Sequence, residues 1–508
     1  MIKHIIVQAG GKGTRMGHLT YNRPKCLISI NGVTLLQSIS KAFPDAIFHI
    51  IGDYKFGILQ SYLKNVDLGF TYTLTKTDEN GTMAGISNVL ELIPENEAFA
   101  LTWSDLYYET TVQIPDTSKN YIFLTNSNRC RYKYENSRFI QQDTIKNGVI
   151  GLFVFSSKKF LADLPLNGEF VKYLSQKNFA IQPLVKDRII EIGTKELLEE
   201  FNSRSFNSRF FNKLEINGDI IKKEPRSKDF NQLVEREAEW YQYMIAHGYR
   251  AIPEILGYRP LRMKRVSGLH PFQFPNNISK EERNEIVSKI LDELKKMHAI
   301  SRMAANRETI HNVYVTKTIN RILPVTKILE IDSKKEYRVN GKKVEIITPE
   351  DTKMIEAIFD RIRNTEYFYT IHGDPTFSNI LMGEDNSVKF IDPRGYFGDL
   401  KIYGDYRYDF AKLFYSAIGN YDQFNSQKFV LKMDGSDISL KISSSGFEST
   451  NEVFSRVDGV DIMEIELLHV LIWLSLSGYV LNDVDSMIAS YFNGLKLLKE
   501  ADEAYGIF

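Results

Sequence analysis

The chain has 508 residues, against roughly 100 to 200 for one domain, so two to four folding units are expected, each large enough to bury a core. Lysine plus arginine and aspartate plus glutamate each number 64, and this balance excludes a global electrostatic attraction to nucleic acid or to an acidic membrane. Two cysteines, Cys26 and Cys130, are too few for a disulfide framework or a cysteine-built zinc site and read as reduced thiols.

The first apolar run, IIV at residues 5–7, is not preceded by the basic and long apolar parts of a signal peptide, so the cytoplasm is the expected location. Strand-like segments at 4–10, 45–54 and 70–74 alternate with the helical stretches LLQSISKAF and FGILQSYLKN, which predicts an α/β domain with a mostly parallel sheet. AFALTWSDLYY at 98–108 continues the alternation and sets Asp105 near a strand end. Ligands of such sheets lie beyond the carboxyl ends of the strands, where Asp105 could meet the loop that follows the first strand.

That loop reads AGGKGTRMGHLTYNRPK over 9–25. Gly10, Gly11 and Gly13 let the backbone turn and bring its N–H groups close to phosphate oxygens, while Arg15 and Lys25 offer positive charge to a departing pyrophosphate. A glycine pair that merely turns a strand into a helix is the plainer alternative for the GxG alone. The full stretch AGGKGTRMGHLTYNRPKCLI resembles the sugar-phosphate nucleotidyltransferase signature, and the resemblance covers about residues 1–200.

The resemblance implies a Rossmann-like α/β fold, magnesium, and formation of a nucleoside-diphosphate product with release of pyrophosphate. By motif, Gly11 and Gly13 would hold the nucleotide phosphates, Arg15 would contact them, and Lys25 would support nucleotide or pyrophosphate. Asp105 matches the metal-binding acid. Glu191, in IIEIGT, stands where the family commonly has Asp and is the second candidate metal ligand, with a longer stem. NGTMAGI at 80–86 resembles the loop beneath the nucleotide or sugar and implicates Gly81, Thr82 and Gly85. KNGVIGLFVF at 146–155 resembles the segment lining the acceptor pocket. The family's EKP-like segment has no match in RFIQQDTIKNG, which leaves Lys146 as a weak substitute for the cation that grips the acceptor phosphate.

Past KELLEEFN the pattern changes. Asn217-Gly218 separates two extended apolar segments, as a tight hairpin requires, and the boundary is set near residue 203, giving domains 1–203 and 204–508. A helix over DFNQLVEREAEWYQYMIAHG and short strands at IPEILGY and LRMKRVSG complete a small lobe over 204–267. Residues 268–508 read as a larger helical lobe, opened by the 3.6-period stripe of EERNEIVSKILDELKKMHA and interrupted by a second Asn-Gly hairpin near 335–349, expected as a surface ribbon. MEIELLHVLIWLSLSGYVL carries Glu464, Glu466 and His469 and reads as a buried helix rather than a membrane span.

The large lobe contains HGDPTFSN, with His372, Asp374 and Asn379, and then Asp392 in FIDPRG. The HxDxxxxN spacing resembles aminoglycoside and choline kinases, whose fold is related to protein kinases; the resemblance runs from about residue 207 to the C-terminus and implies a bilobal α+β phosphotransferase. Asp374 would accept the proton of the substrate hydroxyl or orient it, Asn379 and Asp392 would hold magnesium, and His372 would support loop geometry. Asp409 resembles a family residue that braces this lobe, with a helix-capping or surface role as an equal alternative. Strand alternation sends Lys222 and Lys223 to opposite faces; family-like placement favours Lys223 toward ATP. Glu237 is the first choice to orient it, with Glu235 as the alternative. LRMKRV at 261–266, with Met263, is the expected hinge against the nucleotide base. Arg204 and Arg209 are candidates for a substrate cleft or simply a basic strand edge.

The combined expectation is a bifunctional enzyme. ATP would phosphorylate a sugar, polyol or aminoalcohol, and a second NTP (CTP, UTP or GTP) would convert the product to an NDP-activated precursor, of the kind used for capsule or other surface glycans. Mg2+ is the expected cofactor. No nucleic acid and no stable membrane insertion are expected, and homo-oligomer formation is left open. The alternatives are a choline or aminoalcohol kinase-cytidylyltransferase, or one catalytic domain joined to a degenerate sensing or scaffolding domain.

Overall fold

The computed structural model describes residues 2–177, 180–204, 212–226, 230–275, 277–348 and 352–508. Arg209 lies outside the described residues, and Arg204 is described only in its backbone. The chain divides into one compact unit of Met1–Phe206 with Lys327–Glu330 and Val480–Asp485, and a second of Asn207–Thr326, Ile331–Tyr479 and Ser486–Phe508.

In the first unit, the strands Phe99–Trp103, His4–Gln8, Ile47–Gly52 and Thr71–Lys76 run side by side in parallel within a nine-stranded sheet. Helices Leu35–Ala42 and Phe56–Asn65 make the crossovers, as the alternation of the sequence predicts. Gly148–Phe155 joins antiparallel to Phe99–Trp103 and is buried at every position, which explains its unbroken apolar run. The core beneath it is aromatic: Phe153 and Phe155 pack edge-to-face on Phe170. The sheet therefore delivers four parallel strand ends, and the loops after them, to one edge.

The second unit opens with an antiparallel sheet in the order Asn212–Asn217, Ile220–Pro225, Leu261–Lys264, Ile255–Tyr258. The first two strands pair in full around Gly218, which adopts the left-handed conformation at φ 59° that such a turn demands. Helix Asn231–Ala246 follows, and its buried Trp240 donates Nε1–H to the Ile371 carbonyl at 2.8 Å. The remainder is mainly helical. Lys280–His298 starts with a reciprocal Ser279/Glu282 capping box, and Ile462–Ser477 is buried on nearly all sides, so its uniform hydrophobicity is that of a core helix. Among the described residues, no helix is long and apolar enough to cross a membrane.

The hairpin expected as a surface ribbon is more than that. Its strands Tyr337–Val339 and Lys342–Val344 turn through Asn340 and Gly341, both at positive φ, and then join a second hairpin, Phe429–Asp434 with Asp437–Ile442, in a four-stranded sheet. Asn340 clamps the two together, its Nδ2 donating to the Leu440 carbonyl and its Oδ1 accepting from the Leu440 amide, each at 2.9 Å. Sequence pattern located the first turn but not its distant partner.

Gly151 sits at φ 88°, and a Cβ added there would lie 2.1 Å from Trp103 Cε3. Gly151→Ala therefore combines backbone strain with overpacking against a ring, and a loss of about 2–4 kcal/mol from the first unit is expected in chemical denaturation. An unchanged midpoint would show that the ring and the strand do not meet in this way.

Candidate functional site

In the first unit, the glycine loop leaves the strand His4–Gln8 at its carboxyl end. Gly10 backs onto Asp53, where a Cβ would come within 3.3 Å of the Asp53 Cβ; Gly11 faces open space; Gly13 is left-handed at φ 61°. Two short strands complete the site. Ile189–Glu191 pairs antiparallel with Leu106–Tyr108, and the Ile192 amide donates to the Asp105 carbonyl at 2.8 Å, so the ladder sets Asp105 and Glu191 next to each other.

Lys25, buried, places Nζ 2.7 Å from Asp105 Oδ2, while Arg15, largely exposed, reaches to 3.9 Å from Glu191 Oε1. The other carboxylate oxygen, Asp105 Oδ1, is buried without a hydrogen-bond partner among the described residues. Burial and then the neighbouring Asp105 charge push the Glu191 carboxyl up to about 7, with Lys25 and Arg15 pulling the other way. Two acidic groups forced together, one with an orphaned oxygen, are a destabilised arrangement that a divalent cation relieves. Among the described residues no cluster of three or more ligating side chains occurs. The Asp105 and Glu191 carboxylates fit Mg2+, which commonly takes one or two carboxylates and completes its shell with water and substrate phosphates.

The 80–86 loop is held by internal contacts. Gly81 bridges to Gly168 so closely that a Cβ would fall 2.3 Å from the Gly168 oxygen, and Gly85, at φ 71°, packs on Ile51. Thr82 Oγ1 accepts the Phe170 amide at 2.8 Å. These residues shape the loop at the sheet edge through internal contacts. Lys146 is exposed at a turn, its amide bonded to Thr144 Oγ1. Arg23, not singled out by the sequence reading, is buried and pairs with Asp483 at 2.5 Å and Asp485 at 3.4 Å, which anchors the loop that carries Lys25.

In the second unit, Lys223 is the buried member of the lysine pair, and Nζ lies 2.6 Å from both Glu237 Oε2 and Asp392 Oδ1. Burial acts to lower its pKa, but Asp392 and Glu237 outweigh that and raise it, so it is held as a cation. Lys222 turns outward to Glu215 and Glu224, and Glu235 lies 3.8 Å from Arg259. Met263 pairs with Ile221 on one side and Ile255 on the other, so it lies inside the sheet, and the chain leaves this sheet only after Lys264. The segment 261–266 expected as the hinge therefore spans the end of this strand and the first residues beyond it.

The HGD loop is held from below by Asp409. Its carboxylate, fully buried, accepts the amides of Gly373 (2.7 Å) and His372 (2.8 Å) and a third contact from His298 Nε2 (3.0 Å), a brace rather than a surface cap. His372 Nδ1 accepts the Asp374 amide at 3.2 Å, so its Nε2 is the atom left to donate to the Ile391 carbonyl at 3.1 Å; burial lowers its pKa and keeps it neutral. Asn379 Nδ2 donates to the Asp374 carbonyl at 2.8 Å and to Asp374 Oδ2 at 3.3 Å. Asp392 is left-handed at φ 52°, a strained position of the kind found at working sites. With the Asn379 amide oxygen and the Asp392 carboxylate, the loop offers the oxygen donors that magnesium prefers. Lys412, absent from the sequence reading, lies 3.0 Å from Asp374 Oδ1. Its only sequence signal is its position three residues beyond Asp409 on the helix Tyr406–Ala417.

Residues 5–115 match the MobA-like NTP transferase domain. That match supports nucleotidyltransferase activity for the N-terminal part of the chain. Among solved structures, HddC from Yersinia pseudotuberculosis is 18% identical over 39% of this chain and 100% of its own, with a TM-score of 0.35. The CTP:phosphocholine cytidylyltransferase LicC of Streptococcus pneumoniae is 18% identical over 40% and 99%, with a TM-score of 0.33. The inositol-1-phosphate CTP transferase of T. maritima is 15% identical over 40% and 98%, with a TM-score of 0.31.

Glu191 gives the metal-free protein a pH signature. With the folded value at about 7 against an ordinary 4.5, the unfolded chain loses its proton first, so stability present below pH 4.5 is lost as pH rises toward 7. The loss is at most on the order of 3 kcal/mol. Urea denaturation with EDTA across this window should show the decline in the parent and a flatter profile in Glu191→Gln; parallel profiles would count against the buried carboxylate pair.

Proposed function

We propose that the chain is a bifunctional enzyme whose second unit phosphorylates a small hydroxylated molecule with ATP and whose first unit condenses the phosphate with an NTP. The observation that carries the reading is the gathering, in each unit, of residues with complementary roles around one loop. Lys223, Glu237 and Asp392 form one ion-pair cluster; Asp374 and Asn379 share a loop braced by Asp409.

In the second unit, Asp374 takes the proton of the acceptor hydroxyl as its oxygen bonds to the γ-phosphorus, and the bond from that phosphorus to the β,γ-bridging oxygen breaks to leave ADP. Lys223, fixed by Glu237, steadies the nucleotide phosphates. Asn379 and Asp392 are the residues to hold magnesium. In the first unit, the new phosphate ester supplies the nucleophile: its oxygen bonds to the α-phosphorus of the NTP, and the bond to the departing pyrophosphate breaks. Backbone N–H groups at Gly11 and Gly13, with Arg15 and Lys25, bind the triphosphate and offset the charge that builds on the leaving group. Asp105 and Glu191 are the residues to hold magnesium there. The metal's contribution at either site is charge neutralisation and phosphate alignment. The product is an NDP-linked precursor, suited to glycan assembly.

Asp105→Asn and Asp374→Asn separate the two halves. Asp105→Asn should lower pyrophosphate release by about 100-fold or more with ADP formation retained, and Asp374→Asn should lower ADP formation to a similar degree, with pyrophosphate release retained when the phosphorylated acceptor is supplied. Product masses and coupled ADP and pyrophosphate assays read both. Full retention of the assigned half-reaction in either variant would reject that assignment.

A further inference from the structure

The surroundings of Asp374 are cationic beyond what phosphoryl transfer from ATP accounts for. Lys412 contacts Asp374 directly and lies 5.1 Å from the centre of the Tyr415 ring. Arg394, two residues past Asp392, stacks 4.5 Å from the Tyr396 ring centre, and its amide is tied to the His372 carbonyl at 2.9 Å. Lys317 begins the helix Lys317–Ile328, directly after the π-turn Asn312–Thr316, a backbone irregularity frequent at functional sites. Arg321 follows one helical turn later on the same face and donates Nη1–H to the Gly478 carbonyl at 3.2 Å.

Among the described residues no carboxylate forms an ion pair with Lys317, Arg321 or Arg394. The charges acting on Lys317 are Arg394, Lys412 and Arg321, opposed by Asp374, whereas those acting on Lys223 are Asp392 and Glu237. The two sets share no residue and flank Asp374, so the nucleotide cluster around Lys223 leaves the Lys317 group unused. Burial first, and then Arg394 and Lys412, hold the Lys317 amine well below its ordinary value. A partly buried amine facing three like charges, with Asp374 alone opposing them, is costly unless an anion completes the site. The helix is firmly seated: Tyr314 in the π-turn donates to Asp405 Oδ2 at 3.0 Å and stacks on Tyr408.

Resting on the kinase reading of this unit, we infer that its acceptor is an anion, a hydroxylated small molecule bearing a carboxylate or phosphate group that Lys317, Arg321 and Arg394 hold while its hydroxyl faces Asp374. Proton, phosphoryl group and ADP then move as described for the neutral case; the acceptor's own negative group is a handle and takes no part in bond making. A cationic aminoalcohol would meet repulsion at the same place.

The test uses the full chain with Mg-ATP and matched acceptors: glycerol, glycerate and glycerol 3-phosphate; glucose, gluconate and glucose 6-phosphate; choline and ethanolamine. ADP release and product mass are recorded. An acid or phosphate should exceed its neutral counterpart in kcat/KM by about ten-fold or more, and the better of the two identifies the group held. Lys317→Met should raise KM for that acceptor by about ten-fold, change KM for ATP by less than about two-fold, and leave Tm equal or higher, because an amine crowded by like charges is removed; Lys317→Arg should restore part of the acceptor affinity. Neutral or amine acceptors that match or surpass the anions, or an unchanged acceptor KM in Lys317→Met, overturn the inference and leave the kinase reading standing. No phosphorylated product from any acceptor, in a protein whose pyrophosphate-releasing half is active, overturns the kinase reading and the inference with it.

Discussion

The working loop of the second unit depends on the buried carboxylate of Asp409. Two successive amides, His372 and Gly373, point at it, and a third group, His298, closes the other side. An ionised acceptor that receives main-chain N–H groups inside a protein is worth more than a neutral one, and removing it would leave those donors unsatisfied. Everything downstream is then geometrically determined: His372 reaches both the Asp374 amide and the Ile391 carbonyl, and Asn379 spans the loop to Asp374. Asp392 is thereby set where Lys223 can meet it. The loop's form thus rests on its own His372 and Asn379 side chains together with a carboxylate on a helix about 35 positions further on.

The first unit uses a different device for a similar end. Its acids are positioned by strand pairing rather than by a brace, since the ladder between Leu106–Tyr108 and Ile189–Glu191 fixes which side chains lie together. The parallel sheet brings the glycine loop to the same edge. Because the acidic pair is assembled by backbone register, substituting either carboxylate changes charge without removing the frame that holds it. Gly81 and Gly85 belong to that frame as well: their closest neighbours are the Gly168 backbone and the Ile51 side chain, so what they supply is close packing at the strand ends.

Much of this was legible in the sequence where the signal is local. Alternating apolar runs located the parallel strands, Asn217-Gly218 located a hairpin, and the period of two set Lys223 and Lys222 on opposite faces. What escaped was set by distant partners. Lys412 and Lys317 carry no motif; only the fold brings them toward Asp374. Arg23 sits inside a quoted motif, yet its partners Asp483 and Asp485 lie more than 450 positions away. Where within 261–266 the strand stops pairing is likewise a property of its neighbours, and the sequence pattern does not mark it. The hairpin at 337–344 was seen as a turn and missed as half of a sheet for the same reason.

Local rules are broken at three places where the chemistry is expected. Glu191 is mostly buried beside another acid, Asp392 is left-handed, and Lys317 faces three like charges opposed by one carboxylate, Asp374. Each of these costs stability in the free protein, and none is needed to form a core, which is supplied elsewhere by aromatic packing and buried strands. The signs of the broken rules also differ. Around Glu191 the excess is negative and calls for a cation; around Lys317 it is positive and calls for an anion. A fold under selection for stability alone would have exchanged one charge in each cluster for its opposite or for an apolar residue of similar size. That each cluster sits beside a loop with an independently recognisable phosphate-handling pattern is the physical reason to read them as binding sites rather than as defects.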